Sequence, residues 1–349
     1  MKIVADDKIP YVRECLESMA DEVVYLPGKS ISRESVADAD ALMVRTRTIV
    51  DRALLEGTSV RFVATATIGF DHIDTGYCKR AGVAWSNCPG CNAGSVEQYL
   101  QSSLIILERY LGKRLEDMTL GVVGVGHVGS RVARMAGEMG MKVLLNDPPR
   151  AESEHGGDKF CPLETIMEQA DIITFHTPLS RTGKYPTYHL AGEDFFGGLR
   201  RCPVIINTSR GEVVDTTALK RAMSCGKVRT AVIDVWEDEP DIDRELLASV
   251  LIGTPHIAGY SADGKANASR MSVENICRFF GLKAACRIEP PVPPCTVIRA
   301  NGMKDALLQI YDPREDCKRL RAEPEQFERL RGSYPLRREK EAYTFVLGQ

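Results

Sequence analysis

The chain has 349 residues, 44% of them hydrophobic, and a formal net charge of −3. That length suggests two or three domains with substantial cores, and the near-balanced charge excludes a general pull toward nucleic acid or an anionic membrane. No apolar run approaches membrane-spanning length, and Met1 to Asp7 reads as a strand with an acidic end, not as a secretory leader, so a cytoplasmic location is expected.

Taken in order, Lys2–Ala5, Val23–Leu26, Ala41–Val44, Arg61–Ala66 and Val83–Ser86 read as short apolar strands. Helices are expected over Tyr11–Met19 and Asp74–Arg80, and the alternation implies a parallel sheet covered on both faces. Cys88-Pro-Gly-Cys91 has the C-x-x-C spacing of redox motifs, but a turn made by Pro89-Gly90 accounts for it, and no second pair completes a zinc site. No metal is therefore expected. Eleven cysteines, an odd number without framework spacing, fit reduced thiols.

Asn92–Leu111 reads as a long amphipathic helix, and a second alternating series begins at Thr119. Its first strand, Leu120–Val123, runs into Gly124-Val125-Gly126-His127-Val128-Gly129, followed by a helix-like stretch from Ser130 to Met139. The spacing G-x-G-x-x-G has a mechanism. The first glycine permits a tight turn, the second lets a pyrophosphate reach the backbone, and the third lets the helix pack on the strand. The next strand, Met141 to Asn146, ends in Asp147, where a ribose hydroxyl needs an acceptor. A carboxylate there repels the extra phosphate of NADP, so NAD is the expected cofactor. Further strands are expected at Ile172–Phe175, Val204–Asn207, Thr230–Val235 and Val250–Ile252. Helices are expected at Pro162–Gln169, Thr216–Ser224 and Asp243–Ala248, and a helix from Ala262 to Phe279 can return to the first domain. His72 reads as structural, and His155, beside Gly156-Gly157, as a solvated turn residue.

The resulting plan is α/β, with two Rossmann-like doubly wound parallel-sheet domains and a small C-terminal α+β domain. Residues 1–93 and 256–285 would form a flavodoxin-like substrate-binding domain, 94–255 an NAD-binding domain, 286–296 a proline-rich linker and 297–349 the C-terminal domain. The last segment carries both charge signs yet enough aromatic and aliphatic residues, among them Tyr311, Phe327, Tyr334 and Phe345, to dock on the body or on a partner.

Three strand ends of the second series carry chemistry: Arg210 follows Val204–Ser209, Glu239 follows Val232–Trp236, and His256 follows Val250–Pro255. Ligands of open α/β sheets bind beyond the carboxyl ends of strands, so one sheet edge would hold a cation, a carboxylate and an imidazole. Hydride removal from a secondary alcohol needs such a set. A histidine can take the hydroxyl proton, a carboxylate can hold its tautomer, and a guanidinium can grip a substrate carboxylate.

The Arg210…Glu239…His256 order after Gly124-x-Gly126-x-x-Gly129 resembles the D-isomer-specific 2-hydroxyacid dehydrogenase family. The resemblance extends through Ala64–Asp74, Pro89–Ala93 and His176–Leu179, with Pro186–Leu190 and His256–Ser261 the more diagnostic stretches. It implies two Rossmann-like domains and catalytic roles for Arg210, Glu239 and His256, His256 being the proton donor or acceptor. NAD contacts fall on Gly124, Gly126, His127, Val128, Gly129, Asp147, Thr177, Asp234 and Gly259, and substrate contacts on Thr46, Thr67 and Tyr260. His127 and Phe70 depart from the usual pattern, and the C-terminal extension is shorter than in the best-known members. The extension implies the branch of the family that oxidises 4-phospho-D-erythronate at carbon 2 in vitamin B6 synthesis and dimerises through this segment. Another 2-hydroxyacid such as phosphoglycerate is the alternative substrate, and a non-catalytic NAD-sensing interaction protein is the alternative of another class. Arg45, beside Thr46 at a strand end, is the expected phosphate ligand, with the solvated pair Arg337-Arg338 as its alternative.

Overall fold

Successive residues of one strand serve two different cores in the first unit of the protein. In the computed structural model, which describes residues 1–154, 159–283 and 286–348, strand β1 (Lys2–Asp6) sends Ile3 and Ala5 to one core and Val4 to another. That follows from the two-residue period of a strand buried on both faces. With β2 (Glu22–Leu26), β3 (Ala41–Val44), β4 (Phe62–Thr65) and β5 (Ala84–Ser86) it forms a five-stranded parallel sheet in the order β2-β1-β3-β4-β5. This unit comprises Met1–Asn92 and Ser261–Pro293. The helix Ala262–Phe280 covers one face, burying Ala266, Val273 and Ile276 against Ile3, Met43 and Ala64. His155 lies outside the described residues.

The second unit, Ala93–Tyr260 and Pro294–Gln349, holds a six-stranded parallel sheet. Its strands are β6 (Thr119–Val123), β7 (Lys142–Asn146), β8 (Ile172–Phe175), β9 (Val204–Asn207), β10 (Thr230–Ile233) and β11 (Ile252–Gly253). The order β11-β10-β9-β8-β6-β7 reverses direction at β6, so the chain leaves β6 toward β7 and returns to β8 on the other side. A crevice at the carboxyl ends of β6 and β8 is the place where such a sheet accepts a ligand.

The C-terminal segment packs into this second unit. Strands β12 (Val297–Ala300) and β13 (Thr344–Leu347) pair in parallel, and helices cover Met303–Ile310, Pro313–Ala322 and Phe327–Gly332. Tyr311 and Cys317 join the core on one face of the six-stranded sheet, and Leu320 and Phe327 the core on the other. Residues 287–296 have no regular structure, as four prolines within the five residues 290–294 dictate.

One expectation is corrected. Cys15 and Cys286, 271 residues apart in sequence, form a disulfide within the first unit, so not every thiol is reduced; the other nine cysteines are in no disulfide. No helix among the described residues is long and apolar enough to cross a membrane.

Candidate active site

The glycine-rich turn after β6 is shaped by close approach. Gly124 has φ +86°, and a Cβ there would press on the His176 backbone and the Thr177 methyl at 2.8 Å, so β6 and β8 meet at this glycine. A Cβ on Gly129 would overlap the Gly124 carbonyl oxygen, whereas one on Gly126 would enter open space. Gly126 and His127 are exposed at the start of the helix His127–Glu138, with Val128 partly buried behind them. The helix starts three residues before the sequence suggests, because its first turn is the motif itself.

Asp147, at the end of β7, caps the helix Pro148–Ser153 by accepting from Arg150 N at 3.1 Å, while its other oxygen accepts from Val125 N at 2.8 Å. The Arg150 guanidinium donates to the Val125 carbonyl and is neutralised by Glu154, with Nη2 to Oε2 at 3.0 Å. Across the crevice the buried Thr177 Oγ1 has no hydrogen-bond partner among the described residues. An open approach at Gly126, an orphan hydroxyl at Thr177 and a carboxylate at Asp147 suit a dinucleotide with unphosphorylated ribose hydroxyls. His176, beside Thr177, contacts Thr174 Oγ1 at 3.0 Å, and burial pushes its imidazole down to about 3, so it stays neutral.

Farther along the same sheet edge, His256 and Glu239 are joined. His256 Nδ1 lies 2.8 Å from Glu239 Oε2, and Glu239 Oε1 accepts from Trp236 N at 2.9 Å. Burial works to raise the Glu239 carboxyl, but its bond to His256, the His256 charge, the Trp236 N–H and the Arg331 charge outweigh it and hold it below its ordinary value. An ionised Glu239 accepts a hydrogen bond from Nδ1–H, which fixes the tautomer and leaves the lone pair on Nε2. His256 has a left-handed backbone, φ +56°, which turns it out of the segment after β11.

Asp234 anchors that segment from beneath. It is 1% exposed; Oδ1 accepts from Thr254 Oγ1 at 2.6 Å and Ile257 N at 2.8 Å, and Oδ2 from Ala258 N at 2.9 Å. Burial raises its carboxyl despite these donors and the His256 charge. Both oxygens are thus engaged in holding the backbone that carries His256 and Gly259. Arg210 begins a short helical turn after β9, its Nη1 donating to Ser209 O at 2.7 Å and its side chain half-buried.

His256, Glu239 and Tyr260 are brought together with a residue that sequence reasoning missed. Arg331 donates from Nε to the Tyr260 hydroxyl at 3.1 Å, and its Nη1 lies 3.8 Å from Glu239 Oε2. Arg337 also departs from expectation. It is buried, not solvated, stacks on Tyr311 with 4.2 Å to the ring centroid, and donates to Ala258 O. No spacing rule links these arginines to residues some 75 positions earlier.

The remaining expected residues belong to the first unit. Arg45 is bound to the fully buried Asp6, with Nε to Oδ2 at 3.1 Å and Nη2 to Oδ1 at 3.3 Å. Thr46 beside it is exposed. Thr67 Oγ1 contacts Thr65 Oγ1 at 2.7 Å and donates to Gly69 O, and Thr65 also holds His72 Nε2 at 3.0 Å. Burial lowers the His72 imidazole, in keeping with a structural role. Cys88 is fully buried against Ala268 O and Ser272 Oγ, and burial pushes its thiol up to about 11, which removes thiolate reactivity.

A model of the D-isomer specific 2-hydroxyacid dehydrogenase NAD-binding domain matches residues 93–258, and one described as a domain of unknown function (DUF3410) matches residues 296–348. Erythronate-4-phosphate dehydrogenase of Bacteroides thetaiotaomicron is 60% identical over 346 residues, covering 99% of each chain. The protein of that name from Porphyromonas gingivalis is 46% identical, covering 99% of this chain and 95% of its own. Among solved structures, D-lactate dehydrogenase from Aquifex aeolicus, complexed with NAD and lactic acid, is 25% identical with a TM-score of 0.64, covering 80% of this chain and 96% of its own. NAD+-bound 3-phosphoglycerate dehydrogenase of Entamoeba histolytica is 26% identical with a TM-score of 0.65, covering 83% of this chain and 98% of its own. The chain therefore belongs to the D-isomer specific 2-hydroxyacid dehydrogenase family, as an NAD-dependent dehydrogenase.

Proposed function

We propose that the protein oxidises 4-phospho-D-erythronate at carbon 2 to the 2-oxo acid, a step of vitamin B6 synthesis, as a cytoplasmic homodimer assembled through its C-terminal segment. The observation that carries the chemistry is the His256–Glu239 contact of 2.8 Å beside an NAD-binding sheet edge. The choice of substrate is supported by the names of the full-length relatives.

NAD, when bound, supplies the hydride acceptor. Its pyrophosphate would be held at Gly124, Gly126, His127, Val128 and Gly129, its ribose by Asp147, and its nicotinamide side by Thr177 and Gly259, with Asp234 holding the loop in place. His256 Nε2 removes the carbon-2 hydroxyl proton as the hydride leaves, and Glu239 stabilises the imidazolium that forms. Arg210 turns its outer guanidinium edge to the substrate carboxylate, which fixes the carbon to be oxidised. Tyr260, Thr46 and Thr67 supply hydroxyl groups for the rest of the substrate. Arg45 keeps its outer Nη1–Nη2 edge for the phosphate, because Asp6 occupies Nε–H and the inner Nη2–H.

A substrate panel tests the reading. NADH formation is followed with 4-phospho-D-erythronate, unphosphorylated erythronate, 3-phosphoglycerate and D-lactate. The first should have the highest kcat/KM, by about 100-fold or more over erythronate, since a site built for a phosphate dianion is left with unpaired groups by the analogue that lacks it. Preference for 3-phosphoglycerate would transfer the assignment to that acid.

A further inference from the structure

The C-terminal segment reaches the reacting end of the second unit at three places. Arg331 Nε donates to the Tyr260 hydroxyl at 3.1 Å, the Arg331 Nη1 lies 3.8 Å from Glu239 Oε2, and Arg337 donates to the carbonyl of Ala258. The Tyr260 and Tyr334 rings also pack edge to face, with centroids 6.2 Å apart and planes at 88°. The segment 254–260 is thus gripped from the sheet side by Asp234 and from the other by the C-terminal helix Phe327–Gly332 and the residues after it.

We propose that Arg331 is a positioning residue for the oxidation, holding the Tyr260 oxygen in place by a hydrogen bond and setting a fixed positive charge beside the Glu239–His256 pair. The inference rests on the proposed function, and adds to it a role at the reacting groups for the C-terminal segment.

A phenol oxygen that accepts from Arg331 points its own hydrogen away from the guanidinium. The bond from Arg331 thereby fixes where the Tyr260 oxygen lies, and so places a group that the proposed function assigns to the substrate. Arg331 is 28% exposed and Glu239 18%, so their interaction is only partly screened by water. The groups that bear on Glu239 are His256, the Trp236 N–H and Arg331. The guanidinium opposes proton uptake by the pair. Its removal should therefore raise the Glu239 carboxyl and move the acid limb of kcat/KM, below which the Glu239 charge is lost, to higher pH. Lysine at this position keeps the charge but lacks the planar fork that reaches Tyr260 and Glu239 together.

The test compares wild type, Arg331→Met, Arg331→Lys, Tyr260→Phe and the double variant Arg331→Met/Tyr260→Phe, on 4-phospho-D-erythronate with NAD across pH. Melting temperature and NADH affinity are measured beside the kinetics. Each single loss of the Arg331–Tyr260 bond should lower kcat/KM about 10-fold, mainly through KM, which corresponds to one charge-assisted hydrogen bond. The double variant should be no worse than the poorer single one. Arg331→Met should move the acid limb to higher pH, and Arg331→Lys should leave it in place. Additive losses with an unmoved acid limb, or unchanged kinetics in Arg331→Met, would overturn the proposal. Should Arg331→Met not fold, Arg331→Lys decides alone: unchanged KM overturns it, and raised KM with an unmoved acid limb supports it. A wild type without activity on any hydroxyacid would instead overturn the functional reading, and this inference with it.

Discussion

At the scale of single residues, the same chemical type serves very different ends, and burial decides which. Glu239 and Asp234 both follow β10, yet one carboxylate faces an imidazole and the other supports the backbone that carries it. The nearness of Glu239 and His256 was legible in the sequence, because strand ends of a parallel sheet converge. The engagement of Asp234 with Thr254, Ile257 and Ala258 was not, since a carboxylate after a strand looks alike whether it meets ligand or backbone. Arg337 misled in the opposite direction: an Arg-Arg pair in a charged segment reads as solvated, and its burial depends on the Tyr311 and Tyr334 rings. Two residues give stability predictions. His176 is held down to about 3 in the folded protein, against an ordinary 6.5. The unfolded chain takes up this proton first, so stability is lost as pH falls from 6.5 toward 3. His176→Asn should flatten the fall in melting temperature between pH 7 and about 4.5; parallel curves for the two proteins would show that His176 does not contribute. Arg45→Ala should do more than weaken phosphate binding, because it leaves the buried Asp6 without its cation. We expect a lower melting temperature in buffer alone, and an unchanged one would mean that the Asp6 pair adds nothing.

At the scale of elements, strands and long helices were legible to within a few residues. Ala41–Val44, Ile172–Phe175, Val204–Asn207 and Thr216–Ser224 stand where the apolar pattern puts them. The helices Arg33–Val36, Arg52–Leu55 and Pro148–Ser153 were not seen, since four to six residues hold too few turns to display a 3.6-residue period. Asp147 illustrates the point: its side chain caps a helix too short to announce itself. The glycine turn gives the sharpest contrast between elements and ligands. Gly129→Ala should lower stability by about 2 kcal/mol or more, as overpacking does, and abolish NADH binding, because its Cβ overlaps the Gly124 carbonyl. Gly126→Ala should keep the melting temperature and still weaken NADH binding at least about 10-fold, since the added methyl occupies the approach of the pyrophosphate. Normal NADH affinity in Gly126→Ala would place the cofactor elsewhere.

At the scale of the whole molecule, sequence gave the two-sheet plan but not the ties across long separations. The Cys15–Cys286 disulfide spans 271 residues, and the odd cysteine count without framework spacing gave no hint of it. The C-terminal segment looked too small for its own core, and it completes two existing ones through Tyr311, Cys317, Leu320 and Phe327. Removing residues 294–349 should therefore uncover both faces of the six-stranded sheet. Losing several large buried side chains, each worth about 1.5–3 kcal/mol, exceeds the margin of an ordinary fold. The shortened chain should aggregate or melt far below the full one, and a soluble, cooperative, equally stable product would show the segment to be an independent appendage. The central claim is that His256, set by Glu239 on an NAD-binding frame, takes the proton while hydride leaves carbon 2. It is tested most directly by the turnover of His256→Ala on 4-phospho-D-erythronate, measured beside its NADH dissociation constant. The account predicts a fall in kcat of about 100-fold or more, the range of a lost general base, with NADH affinity kept within about twofold. Undiminished turnover, or a loss of NADH affinity as large as the loss of rate, would contradict it.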